Sequence, residues 1–414
     1  LYSTRTSIAI LLFGAAALYL GVGQQITVLP IRAELEGFGE FWIGIMGAAY
    51  FTGFALGCLI GPMAVKQVGH IRCFAGFAAL AAISVLAFPL LVAPVAWTVL
   101  RAFSGLCLAI LYMVVESWLN EQAENKIRGA VLSIYIVVAN VVTIGGQQLV
   151  NVFDVRSVAQ FVVIAMLICL SLVPMSLAPT KAPKPIASAK LRLGALIRLS
   201  KSGVIGCAAI GLVEGTFWTF GPVFAQGQGL SVSQITLFMS MFMIGGTISQ
   251  WPLGHLSDRV DRRYVVITCC AGAVATSLVF ALIPLDSIVS NSAVAALHGA
   301  FMIPLYALLL AHTNDYAPTE ALVEVSSGLL LVYALGAAVG PLLVGPLMQE
   351  VGRGGLFLAI AGVLTAFTVF VLFRLLVRAR AGEETRVEFV PVPKTTQSVY
   401  ALEEPELETA DRKE

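Results

Sequence analysis

The chain has 414 residues, of which 58% are apolar and only 12% charged. A soluble domain carries about 25% charged residues, so a water-facing fold of this size is excluded and lipid must cover most of the surface. The net charge of +1 leaves no bulk electrostatic attraction to nucleic acid.

Crossing about 30 Å of hydrocarbon takes roughly 20 apolar residues of helix. In chain order such runs lie near 8–31, 41–64, 72–92, 95–119, 129–150, 158–178, 203–226, 232–254, 264–284, 293–316, 326–348 and 355–377. Twelve spans are predicted, joined mostly by short loops. The first run is too long for a signal-peptide core and reads as a retained helix. Dense Gly, Ala and Ser suits helices that pack closely in lipid.

An even number of spans puts both termini on one side. If that side is the cytoplasm, only Arg32, Arg156 and Arg353 of the 25 Lys and Arg face outward, with Arg101 inside a span. The positive-inside rule favours this orientation. The polar stretch 179–202 is expected to be a cytoplasmic loop between an N-terminal bundle, 1–178, and a C-terminal bundle, 203–379. The tail 380–414, rich in Glu, Pro and Thr, reads as cytoplasmic disorder. The seven cysteines show no CxxC or Cys/His spacing, so they read as packing residues and no metal or other cofactor is expected.

The two groups of six spans resemble each other. Gly105, Tyr112, Asn120 and Glu121 of span four recur as Gly299, Tyr306, Asn314 and Asp315 of span ten, at a constant offset of 194. Thr27, Pro30 and Gly61 recur as Thr219, Pro222 and Gly254. Between spans eight and nine lies Gly254-His-Leu-Ser-Asp258-Arg259-Val-Asp-Arg262-Arg263. This resembles the G-x-L-x-D-R-x-x-R-R loop of the major facilitator superfamily. Glu116-Ser-Trp-Leu-Asn120-Glu121, with Gly69-His70-Ile71-Arg72, is similar to the YcaD-like bacterial branch of that family.

The resemblance implies an all-α membrane protein of twelve helices in two pseudo-symmetric six-helix bundles around a central cavity. It implies a latch at the cytoplasmic helix ends made by Asp258, Arg259, Arg262 and Arg263, with Glu116 grouped beside it near the same boundary. The first-half copy departs from the pattern, with Val65 where the acid belongs. Arg101-x-x-Ser-Gly105 resembles the R-x-x-x-G element of proton-coupled exporters. Gly336, Gly340 and Pro341 resemble their glycine-proline motif, in span eleven rather than span five.

An ionisable group in hydrocarbon is costly and usually has a task. Glu214 lies roughly 16 Å into span seven by the rise of a helix. Gly211 and Gly215 flank it, leaving room for a ligand or a neighbouring helix, and Trp218 stands one turn further on. A buried carboxylate can serve proton coupling; it can equally be hydrogen-bonded to another helix. Arg101 can bind an anionic substrate or pair with Glu214, or it can snorkel to the headgroups. Tyr112 lies nearly three turns from Arg101, on the same face. Gln24, Gln25 and Asn140 are further polar candidates, each also readable as an interhelical hydrogen-bonding group. His298 can titrate near physiological pH or pack.

No Walker loop or HExxH is present, so neither ATP coupling nor a metalloprotease is expected. The expected activity is secondary active transport of a small molecule by alternating access, driven by protons. An uncoupled uniporter and a broad-spectrum proton-driven efflux pump are the alternatives. A lining poor in aromatics with one Arg/Glu couple points to a small polar or zwitterionic substrate. The expected setting is a bacterial inner membrane, as a monomer with both termini cytoplasmic.

Overall fold

Apolar surface that lipid accepts, and backbone polar groups that lipid cannot satisfy, leave helices as the only open-chain solution for crossing a bilayer. The computed structural model describes residues 4–123, 127–177, 193–318, 321–377 and 389. Among these, every regular element is helical. Twelve spans are long and apolar enough to cross a membrane, as the sequence predicts.

The first six are Thr4–Leu35, Gly39–Val68, His70–Ala87, Pro94–Gln122, Arg128–Leu149 and Ala159–Leu177. A short helix, Leu193–Leu199, precedes the second six. These are Lys201–Gly227, Val232–Arg259, Arg262–Leu282, a broken span ten of Ile288–Met302 and Leu305–Asn314, then Leu322–Val351 and Gly355–Val377. Most of the expected central loop and disordered tail falls outside the described residues.

Local chemistry sets many boundaries. Ser200, Ser231, Asp261 and Ser287 each accept a hydrogen bond from the first turn of the span that follows, satisfying a donor the helix cannot. Ser231 and Gln234 form a reciprocal capping box. Gly69 (φ +82°) turns span two into span three and Gly352 (φ +86°) turns span eleven into span twelve, a left-handed backbone that side chains resist.

The two halves repeat each other contact by contact. A Cβ on Gly105 would lie 2.0 Å from the carbonyl oxygen of Tyr50, and one on Gly299 1.8 Å from that of Phe242. Gly53 meets the carbonyl of Ala102 as Gly245 meets that of Ala296. Span two thus lies on span four as span eight lies on span ten. Gly23 meets Thr143 and Gly146 meets Leu20, just as Gly215 meets Ala337 and Gly340 meets Leu212, so span one lies on span five as span seven lies on span eleven. Small residues permit this approach, and in lipid such packing is what drives helix association.

The break in span ten has a local cause. Pro304 has no N–H, so the carbonyl of Ala300 loses its helical donor. Ser249 of span eight supplies one, its Oγ donating to Ala300 O at 2.7 Å. At the matching place in the first half, Gly57 instead packs directly on Leu106.

Any side chain at Gly105 or Gly299 must push backbones apart. Gly299→Ala is expected to destabilise the protein by about 2 kcal/mol, as overpacking does. Gly362→Ala, where a Cβ meets nothing within 4 Å, is expected to be neutral. Thermal unfolding in detergent compares them.

Candidate functional site

Glu214 is buried in span seven, and the hydroxyl of Tyr333 in span eleven donates to its Oε2 at 2.7 Å. The space left by the flanking glycines is taken by span eleven. A Cβ on Gly211 would lie 2.1 Å from the carbonyl oxygen of Tyr333 itself. The glycine face therefore brings the tyrosine to the carboxylate and holds no ligand. Tyr306 of span ten packs against Tyr333, with ring centroids 5.1 Å apart. Trp218 meets the ring of Phe242 edge-on at 5.5 Å, bracing span seven against span eight.

Arg101 does not pair with Glu214. Its guanidinium lies 4.2 Å above the ring of Tyr50 in span two, and its Nη1 is buried without a hydrogen-bond partner. Tyr50 is close enough to both Tyr112 and Tyr333 to interact electrostatically. Tyrosines from the two halves therefore meet near their boundary. Tyr19 with Tyr112, and Tyr306 with Tyr333, are in ring contact here.

Tyr112 stacks on Tyr19 at 5.0 Å with an 11° tilt. The hydroxyls of Tyr19 and Tyr135 lie 2.8 Å apart, and Tyr135 donates to Glu116 Oε1 at 3.0 Å. A phenol has one proton to give, so Tyr19 must donate to Tyr135 and the chain runs one way. Glu116, grouped with the latch from sequence, is instead a buried carboxylate inside the first half. Each half thus holds one glutamate fastened by a tyrosine from the span that pairs with span one or span seven.

Gln24 is structural. Its Nε2 donates to Gln160 Oε1 at 2.6 Å, and Gln160 donates onward to the carbonyls of Val150 and Phe153, tying span one to span six and to the end of span five. Gln25 is 1% exposed and its Nε2 has no partner. Asn140 is half-buried in span five. His298 is a packing residue: Nδ1 lies 2.8 Å from Thr276 Oγ1, and the ring sits among Phe217, Phe242, Phe280 and Phe357. Ser84 and Ser104, 3.0 Å apart, occupy the matching positions of the first half.

In the loop motif the bridging residue is Arg262. It contacts Asp258 at 2.9 Å and Asp315, at the end of span ten, at 3.1 Å. Arg259, expected in the latch, is exposed. Arg263 pairs with Asp261 at 2.6 Å. Burial pushes the Asp261 carboxyl up, but hydrogen bonds from the Arg263 side chain and backbone outweigh it and hold the group below the usual carboxylate range. All these bonds stay within the second half. In the first half the position of Arg262 is taken by His70, which bonds Ser117 at 3.2 Å, a link between neighbouring elements that uses no carboxylate. Phe389, the described residue of the tail, donates its N–H to Asp258 Oδ1 at 3.0 Å and covers Gly254.

Contacts between the halves gather at the opposite end. Arg353 binds Glu34 at 2.6 Å and approaches Glu40 at 3.8 Å. Gln148 donates to Ser240 at 2.8 Å, Ser240 donates to Gln147, and Asn151 donates to Thr236. Span two packs on span eleven, span five on span eight, and spans one and two on span seven; spans four and five make no comparable contact with spans ten and eleven. Among the described residues, the contacts across the halves therefore gather at the end carrying Arg353 rather than at the end carrying Asp258.

The comparisons with known proteins return the same fold. The profile of the Major Facilitator Superfamily matches residues 11–327 and 203–403. The chain belongs to the major facilitator superfamily. The uncharacterized MFS-type transporter YcaD of Escherichia fergusonii is 26% identical over 371 residues, covering 88% of this chain and 95% of that protein. A relative from Enterobacter sp. strain 638 is 26% identical over 381 residues, covering 91% and 96%. Among solved structures, a point mutant of the nucleoside transporter NupG superposes with a TM-score of 0.78 at 14% identity, covering 90% of this chain and 99% of that one. A bacterial homolog of the human lysosomal transporter Spinster, inward-facing and occupied, gives 0.74 at 14% identity, covering 94% and 99%. The resemblance to the YcaD-like branch and the fold it implies are both borne out; at this identity the structural matches speak for the fold alone.

Arg262→Ala strands the buried Asp315 and is expected to cost about 3–5 kcal/mol, the range for breaking a buried ion pair; Arg259→Ala is expected to cost under about 0.5 kcal/mol as an exposed change. Thermal unfolding in detergent separates the two. Arg353→Gln is expected to loosen the end that carries it, so that a cysteine placed at Ser240 reacts with a maleimide several-fold faster than in the Arg353 parent.

Proposed function

We propose that this transporter moves a small polar molecule by alternating access, coupled to protons through Glu214. The observation that carries the reading is the buried Glu214 carboxylate held by Tyr333 beside the boundary of the halves. A charge at this depth is expensive, and a proton removes it. An ionised carboxylate only accepts hydrogen bonds, whereas the protonated acid also donates. Protonation therefore changes the bond to Tyr333, and Tyr333 belongs to span eleven, which packs on span two of the other half. The proton site is thus mechanically connected to the contact that has to open.

The orientation belongs to the same proposal. With both termini in the cytoplasm of a bacterial cell, the end closed by Glu34 and Arg353 faces outward and the central space opens inward. The inward-facing state of the Spinster homolog with which the chain superposes supports that assignment. The two six-span halves are the rocking bodies, acting as a monomer, and the motif around Arg262 braces the inner end of the second half as a rigid unit.

In proteoliposomes with an imposed pH gradient, screened over metabolite pools, wild type is expected to accumulate substrate and Glu214→Gln to lose gradient-driven uptake while keeping counterflow. Gradient-driven uptake that survives in Glu214→Gln removes Glu214 as the coupling site.

A further inference from the structure

Arg32, Arg262, Arg263 and Arg353 each have a carboxylate within 4.0 Å. Arg101 does not. Among the described residues no Asp or Glu pairs with it, and its neighbour is the ring of Tyr50. The ring takes one face of the guanidinium by cation–π attraction. The edges of the group, with their N–H fork, are left over, and Nη1 is buried without an acceptor. A half-buried cation lacking a counter-charge is costly to keep, and the fork fits the two oxygens of one carboxylate.

Position adds a second argument. On span two, Gly44 packs on the Pro341 carbonyl and Gly47 on Thr219 of the second half. Tyr50 is one turn further along the same face, within electrostatic reach of Tyr333. Arg101 therefore sits at the boundary of the halves, with its aromatic platform roughly 16 Å from the start of span two by helical rise. Tyr50 in turn is within electrostatic reach of Tyr112 and Tyr333, and Tyr333 holds Glu214.

We propose that Arg101, laid on Tyr50, binds the carboxylate group of the transported molecule, so that the substrate class is organic acids, zwitterions included. The proposal rests on the transporter reading above and adds the substrate's charge. Tyr50 is a positioning residue, holding the guanidinium flat so that its edge meets the anion. A carboxylate arriving here supplies the missing acceptor and counter-charge, while Glu214 on the opposite half remains free to exchange its proton.

The test uses the purified full chain in detergent and matched pairs of acid and primary amide: acetate and acetamide, lactate and lactamide, benzoate and benzamide, glycine and glycinamide. Ligands that bind the folded state raise its melting temperature. At least one carboxylate is expected to do so while its amide does not. Arg101→Gln is expected to weaken that binding about ten-fold or more, as loss of a charged hydrogen bond does. Arg101→Lys keeps the charge but not the fork and is expected to fall between; Tyr50→Phe is expected to bind like wild type and Tyr50→Leu to bind less. The wild-type comparison of acid with amide stands even if a variant misfolds. Equal shifts by acid and amide, no shift by any carboxylate, a shift by inorganic phosphate alone, or unchanged affinity in Arg101→Gln overturns the proposal. Glu214→Gln is expected to retain the carboxylate shift. Gradient-driven uptake that survives in Glu214→Gln, with an intact Arg101 dependence, sinks only the coupling reading, and the reverse pattern sinks only this one.

Discussion

Glycine placed against a neighbour's carbonyl is the contact on which this structure depends. Lipid tails are as apolar as the side chains they meet, so helices gain little from hiding leucines and must gain from close approach. Gly105 seats span four on the backbone of Tyr50, and Gly211 seats span seven on the backbone of Tyr333. Those two tyrosines are the ones that hold Arg101 and Glu214. The packing that joins the helices and the chemistry at the boundary of the halves therefore share the same residues. A methyl group added at either glycine would disturb both.

The duplicated frame carries unequal chemistry. Glu116 sits on span four and is bound by Tyr135 of span five; Glu214 sits on span seven and is bound by Tyr333 of span eleven. Both acids are fastened by a phenol from the corresponding span of each half, yet they come from spans that do not correspond. The first half alone adds an arginine, and the second half alone builds a charged brace with Arg262 where the first uses His70 and Ser117. A symmetric frame with asymmetric charges has two distinct sides to present to a substrate.

The twelve spans, their pairing into two sixes and the loop motif were all legible in the sequence, because hydrophobic length and a repeat offset are properties of consecutive residues. The register of Gly105 with Gly299 pointed to real equivalent contacts, whereas Tyr112 meets span one and Tyr306 meets span eleven. The tyrosine cluster was not legible. Tyr19, Tyr50, Tyr135 and Tyr333 look like ordinary membrane tyrosines until spans far apart in sequence are brought together. For the same reason the bond from Gln24 to Gln160 and the phenylalanines around His298 were not legible either. Arg262 was named, but its bridge to Asp315 depends on where span ten ends, and that end follows from a break the apolar pattern does not reveal.

That break binds two distant positions to a common history. Pro304 frees a carbonyl and Ser249 takes it up, so removing the hydroxyl alone strands that carbonyl, whereas removing the proline returns an N–H to it. A descendant that regained a continuous span ten would be released from keeping a hydroxyl on span eight, and could carry there a bare glycine, as its twin position Gly57 does.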